Sequence, residues 1–104
     1  MRFQHPRCDV HYELEGPADF LPVLMIHGFG CQLEIMRGCM EPAVAAAKAN
    51  ERLLRVYVDL PGHGRSAKAD LTLASSDALA ACLLALMDHV APVRPFAVAG
   101  HSFG

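Results

Sequence analysis

The last five residues, Gly100-His101-Ser102-Phe103-Gly104, have the spacing most suited to chemistry. In a GxSxG segment a sharp turn from strand to helix raises the serine hydroxyl above a sheet, and small neighbours let the chain pass through it. Ser102 is therefore the candidate nucleophile. A pentapeptide of this kind can also be an ordinary glycine-rich turn, but here the apolar run Phe96 to Ala99 leads straight into it, as a strand must. A second glycine turn, His27-Gly28-Phe29-Gly30, follows the apolar run Val23 to Ile26. Such a turn can aim a backbone N–H at the charge developing on a carbonyl oxygen, and the N–H groups of Phe29 and Phe103 are the candidate pair. One donor of that kind is worth roughly 2.7–4 kcal/mol in the transition state. His27, Gly28, Gly30, Gly100, His101 and Gly104 are expected to support the two turns. The plainer alternative for Gly28 and Gly30 is that they only reverse the chain.

A serine nucleophile needs a histidine base within hydrogen-bond reach and an acid to orient it. None of the six histidines suits that role. His5, His11 and His89 lie away from the motif ends, His27 belongs to the second turn, and His101, next to Ser102, points elsewhere on the strand. Only Phe103 and Gly104 follow Ser102, so the acid and base are expected outside this chain, which alone should have little or no activity. His5, Cys8 and His11 have a metal-like spacing, but alternation along a strand sets Cys8 opposite His11. No metal and no cofactor are expected.

The elements that must position these turns are legible as apolar patterns. Val10, Tyr12 and Leu14 alternate with His11, Glu13 and Glu15, the pattern of a half-exposed strand, here read as an antiparallel edge. Gly16 to Leu21 reads as a hairpin connection. Val23 to Ile26 is a continuous apolar run, as expected of a parallel strand covered on both faces. A short helix is expected after Met40, with Pro42 in its first turn and Lys48 and Asn50 near its end. Val56 to Val58 forms the next strand. Leu79, Cys82, Leu83, Leu86 and Val90 recur at helical spacing, between the cap candidates Thr72, Ser75 and Ser76 and the breakers Pro92 and Pro95. Strand, helix, strand, helix, strand calls for a parallel sheet with right-handed crossovers and ligand chemistry at the carboxyl ends of the strands. All three glycine-rich segments fall at those ends.

Composition narrows the partners. A 104-residue chain that is 53% hydrophobic and 19% charged, with a formal net charge of -2, has the makings of one core. Its basic residues are scattered, so neither nucleic acid nor an anionic membrane surface is an expected partner. No stretch reaches transmembrane length and the start lacks the apolar centre of a signal peptide, which makes the cytoplasm the expected location. Cys8, Cys31, Cys39 and Cys82 form no CxxC pair, so reduced thiols are expected.

The three segments in order, HGFG after one strand, DLPGHGRS from Asp59 to Ser66 after the next and GHSFG after the third, resemble the α/β-hydrolase family. The resemblance covers the chain from about Val10, and three motifs in order are far more specific than one. It implies the N-terminal part of an α/β-hydrolase fold: a mostly parallel sheet with an antiparallel edge strand and helices on both faces. Residues 1–104 then form part of a single domain that stops at the nucleophile turn, and the missing C-terminal half is a partner the fold requires. In the family the triad runs serine, acid, histidine. The Asp59 to Ser66 stretch looks like a structural loop, so His63 and Arg65 carry no expected catalytic role. Related dehalogenases and epoxide hydrolases have aspartate at the turn, so Ser102 points to acyl transfer through a covalent acyl-enzyme on a small substrate with an acyl or ester group. The short HGF form looks like the esterase branch. A different class of reading is a non-catalytic interaction module that pairs its open strand edge with a partner.

Overall fold

The computed structural model describes residues 1–5, 8–28, 30–66 and 76–101, with the side chains of His5, Cys8 and Ser76 not included. Among the described residues five strands form one sheet: β1 (Arg2–His5), β2 (Cys8–Glu15), β3 (Leu21–Ile26), β4 (Leu53–Val58) and β5 (Ala97–Gly100), in the order β1-β2-β4-β3-β5. The α-helices among the described residues are α1 (Leu33–Ala46) and α2 (Ser76–Val90). β1 and β2 run antiparallel to their neighbours, whereas β4, β3 and β5 are mutually parallel. The mixed sheet has the architecture that the family resemblance implies.

Alternation along the parallel strands divides the interior in two. Leu24 and Ile26 of β3 and Val56 and Val58 of β4 pack with Cys82, Leu86 and Met87 of α2. The intervening Val23, Met25 and Tyr57 pack with Leu33 and Met36 of α1. The helices therefore cover opposite faces, and the buried runs in β3 and β4 are continuous because both sides of each strand are used.

Several expectations are corrected. β2 is not the edge, since the four-residue β1 pairs along it from Arg2–His11 to His5–Cys8. Phe3 is the one apolar side chain in that short strand, too little for a periodic signal. Gly16 to Leu21 is not a hairpin connection, because β4 inserts between β2 and β3. The first helix begins at Leu33 and continues through Pro42, whose place is the interior and not the first turn. No local signal marks its start, because Gln32 makes no side-chain cap. Instead Asp59, far along the chain, accepts the Leu33 N–H at 2.7 Å. The helix closes with Lys48 at φ 56°, letting Ala49 N–H reach Val44 O and Lys48 N–H reach Ala45 O, the paired bonds of a Schellman end. Cys31 and Cys39 are free thiols, but buried Cys82 is disulfide-bonded, contrary to the expectation of reduced thiols throughout. Sequence spacing could not show this, because the fold decides which thiols meet.

Candidate active site

β3 and β5 end side by side. Gly100 lies opposite Ile26, and the His101 N–H donates to Ile26 O at 3.2 Å, so the chain leaves β5 beside the His27-Gly28 turn. Ser102, Phe103 and Gly104, the expected nucleophile turn, and Phe29, the other expected oxyanion donor, lie outside the described residues. Of the expected supporting residues, the structure brings His27, Gly28, Gly100 and His101 together around one cavity of about 320 Å³, which Cys39 and Met36 of α1 also line. Gly30 faces an open groove of about 750 Å³ with Cys31, Ile35 and His63. Cys31 and Ile35 line both spaces and so form the ridge between them.

The turn after β3 is locked to the loop after β4 by an exchange of histidines. His27, 1% exposed, accepts the Leu60 N–H on Nε2 at 3.0 Å, and its Nδ1 lies 2.7 Å from Gly28 O. A carbonyl can only accept, so Nδ1 carries the proton and the ring is neutral. Burial holds the His27 pKa below its ordinary value, in keeping with that state. In return His63, on the β4 loop, accepts the Gly30 N–H on Nε2 at 3.1 Å and sets Nδ1 3.1 Å from Pro61 O. The same reasoning makes His63 neutral with the proton on Nδ1. The two ring centroids are 5.0 Å apart.

Asp59 anchors the base of this assembly. Its fully buried carboxylate accepts the Leu33 N–H at 2.7 Å and the Arg65 N–H at 3.0 Å, tying α1 to the loop. The helix N-terminus favours the negative charge there. Gly64 has φ +50°, and a Cβ on it would come within 2.5 Å of the Asp59 carboxyl group, so glycine alone fits. Gly30 likewise takes φ +78°. Ser66 is buried and its Oγ accepts the His11 N–H at 2.8 Å, which fastens the loop to β2. Arg65 bonds Glu13 at 2.9 Å from the solvent side.

Among the described residues, four histidines are engaged within the chain. His27 and His63 spend Nε2 on backbone N–H groups, His11 lies 3.0 Å from Glu13, and His89 stacks against Phe3 at 5.0 Å between centroids. Among the described residues every buried side-chain N or O atom has a partner. The structural role of the Asp59 to Ser66 loop was legible, but the contribution of His63 was not. Its partner Gly30 is distant in sequence, and nothing in the spacing signals the pairing.

With the geometry in hand, the family is clear: residues 23–104 match the model of the alpha/beta hydrolase family, and the chain belongs to it. It is 41% identical over 93 residues to the dihydrolipoyllysine-residue acetyltransferase component of the acetoin cleaving system of Pseudomonas putida, spanning 89% of this chain and 23% of that protein. Among solved structures it resembles a proline iminopeptidase-related protein from Thermus thermophilus, with 25% identity and a TM-score of 0.85 over 100% of this chain and 36% of that one. A thioesterase domain from the curacin biosynthetic pathway is similar at 26% identity and a TM-score of 0.79, over 100% of this chain and 37% of that domain. Epoxide hydrolases and carboxylesterases share the fold as well. The chain thus spans about a quarter to a third of the length of these relatives. Among the described residues no helix is long and apolar enough to cross a membrane.

Proposed function

We propose that these residues are the nucleophile-bearing portion of a serine hydrolase that acts on a small acyl or ester substrate through an acyl-enzyme on Ser102. The observation that carries this reading is the junction of β3 and β5. Gly100 and His101 leave the sheet beside the His27-Gly28 turn, and Ser102 is the next residue in sequence. In this reading Ser102 attacks the acyl carbon, and the backbone N–H groups of Phe29 and Phe103 stabilise the oxyanion. A histidine takes the serine proton and returns it to the leaving group. That histidine and its acid come from outside these residues, since the described histidine side chains are engaged elsewhere or sit at the turns.

A serine-directed fluorophosphonate probe tests the reading on the longest natural polypeptide that contains this chain. Covalent labelling that disappears in Ser102→Ala supports it, and absence of labelling in the unaltered protein overturns it. The 41% identity to an acetyltransferase component favours one variant of the same chemistry, in which an acceptor other than water takes the acyl group. Product analysis with a thiol acceptor present separates transfer from hydrolysis.

A further inference from the structure

His63 stands on the loop after β4, outside any expected catalytic role, yet it holds the turn that faces the end of β5. Its Nε2 is the acceptor for the Gly30 N–H at 3.1 Å, while Pro61 O, 3.1 Å from Nδ1, keeps the proton on the opposite nitrogen. The ring also borders the open groove beside Gly30, Cys31 and Ile35. His27 makes the converse bond to Leu60, and the two loops are therefore joined at two points by rings 5.0 Å apart. Gly30 sits at φ +78°, a conformation open to many alternatives in a glycine, so a bond to its N–H selects one of them.

We propose that His63 is a positioning residue: its unprotonated Nε2 fixes Gly30, the exit of the turn after β3, and so serves the oxyanion donation proposed above. The functional half of this statement rests on the reading of Phe29 as an oxyanion donor. The bond itself does not.

Two substitutions separate the hydrogen bond from packing. His63→Phe keeps a ring but loses the acceptor, and His63→Gln returns an acceptor near the position of Nε2. Amide hydrogen exchange at Gly30, followed by NMR in the full chain, is expected to quicken roughly tenfold in His63→Phe, the factor corresponding to one net hydrogen bond. It should return to within about threefold of the original rate in His63→Gln. Amides in α1 and at Leu60 serve as the internal reference. Unchanged Gly30 exchange in His63→Phe, with the reference amides also unchanged, overturns the proposal. So does acceleration at Gly30 that His63→Gln fails to reverse. The second arm is the rate of fluorophosphonate labelling, expected to fall by about 10²-fold in His63→Phe and recover in His63→Gln, since a misplaced donor costs on that order. Labelling at the original rate in His63→Phe overturns the positioning role. Failure of the unaltered protein to label counts against Ser102 instead, and the Gly30 exchange then decides whether the clasp exists.

Discussion

β3 has a parallel neighbour on each side, and the two share a register: Leu24 lies opposite Val56 of β4 and opposite Val98 of β5. Both neighbours are short and apolar, yet Val56 is fully buried while Val98 is 57% exposed. β4 has α2 on one face and α1 on the other, and it even buries Arg55, which bonds Glu41 at 2.6 Å and the Leu53 carbonyl at 2.9 Å. That ion pair holds the Glu41 carboxyl below its ordinary range. The carboxyl end of β4 is equally fixed, by Asp59 and the loop it anchors. Among the described residues β5 has one strand partner and little cover, with only Ala99 of the strand partly buried, against the α1 side. Strand propensity and register thus do not create a core. A helix on each face does, and β5 is the strand at whose end the chemistry is expected.

The largest effect should come from the end of β4. Asp59→Ala leaves the Leu33 and Arg65 N–H groups without their acceptor in a buried place, at a cost of roughly 3 kcal/mol or more. Urea unfolding should show a midpoint shift of that size, together with loss of amide protection in the first turn of α1. A shift below about 0.5 kcal/mol would mean that the cap is not what starts the helix. Next comes the matched pair on β4 and β5. Val56→Ala should cost roughly 2 kcal/mol, because it removes two buried methyl groups from a packed face. Val98→Ala, at the same register across Leu24, should stay within about 0.5 kcal/mol. Equal shifts for the two would show that β5 is covered in solution, by a second copy or another surface.

Much of this asymmetry is invisible in the sequence. The runs Val23 to Ile26 and Val56 to Val58 announce buried strands, and the glycine segments announce turns at their ends, because those signals are local. The start of α1 is not local. Its cap is Asp59 and not a residue next to Leu33, so propensity alone placed the helix too late, in the alanine-rich stretch after Pro42. β1 carries too few residues for a period, and the insertion of β4 between β2 and β3 depends on long-range pairing. In the candidate site, the glycines could be read because φ and space constrain them directly. The histidine exchange could not, since either ring was free to face solvent until the two loops met.

Acidification sharpens the same contrast at smaller amplitude, because His27 and Glu13, both with displaced titration, lie on the β2-β4-β3 side of the sheet. Burial lowers the His27 pKa from its ordinary 6.5. The unfolded chain then binds the proton more readily, so the stability His27 contributes is intact above pH 6.5 and is lost as pH falls below it. Glu13 on β2 is held at about 2, against an ordinary 4.5, first by its hydrogen bond to His11 and then by Arg37. Its contribution is intact above 4.5 and is lost as pH falls from there to about 2. The Glu13 side chain is 25% exposed, so solvent screening reduces its share to roughly 1 kcal/mol. Urea midpoints at about pH 7.5, 5.5 and 3 should therefore fall in two stages. His27→Gln should remove most of the first stage, and Glu13→Gln part of the second, the remainder belonging to Glu41, which Arg55 also holds below its ordinary range. A first stage that survives His27→Gln would show that His27 is not the group whose protonation drives it.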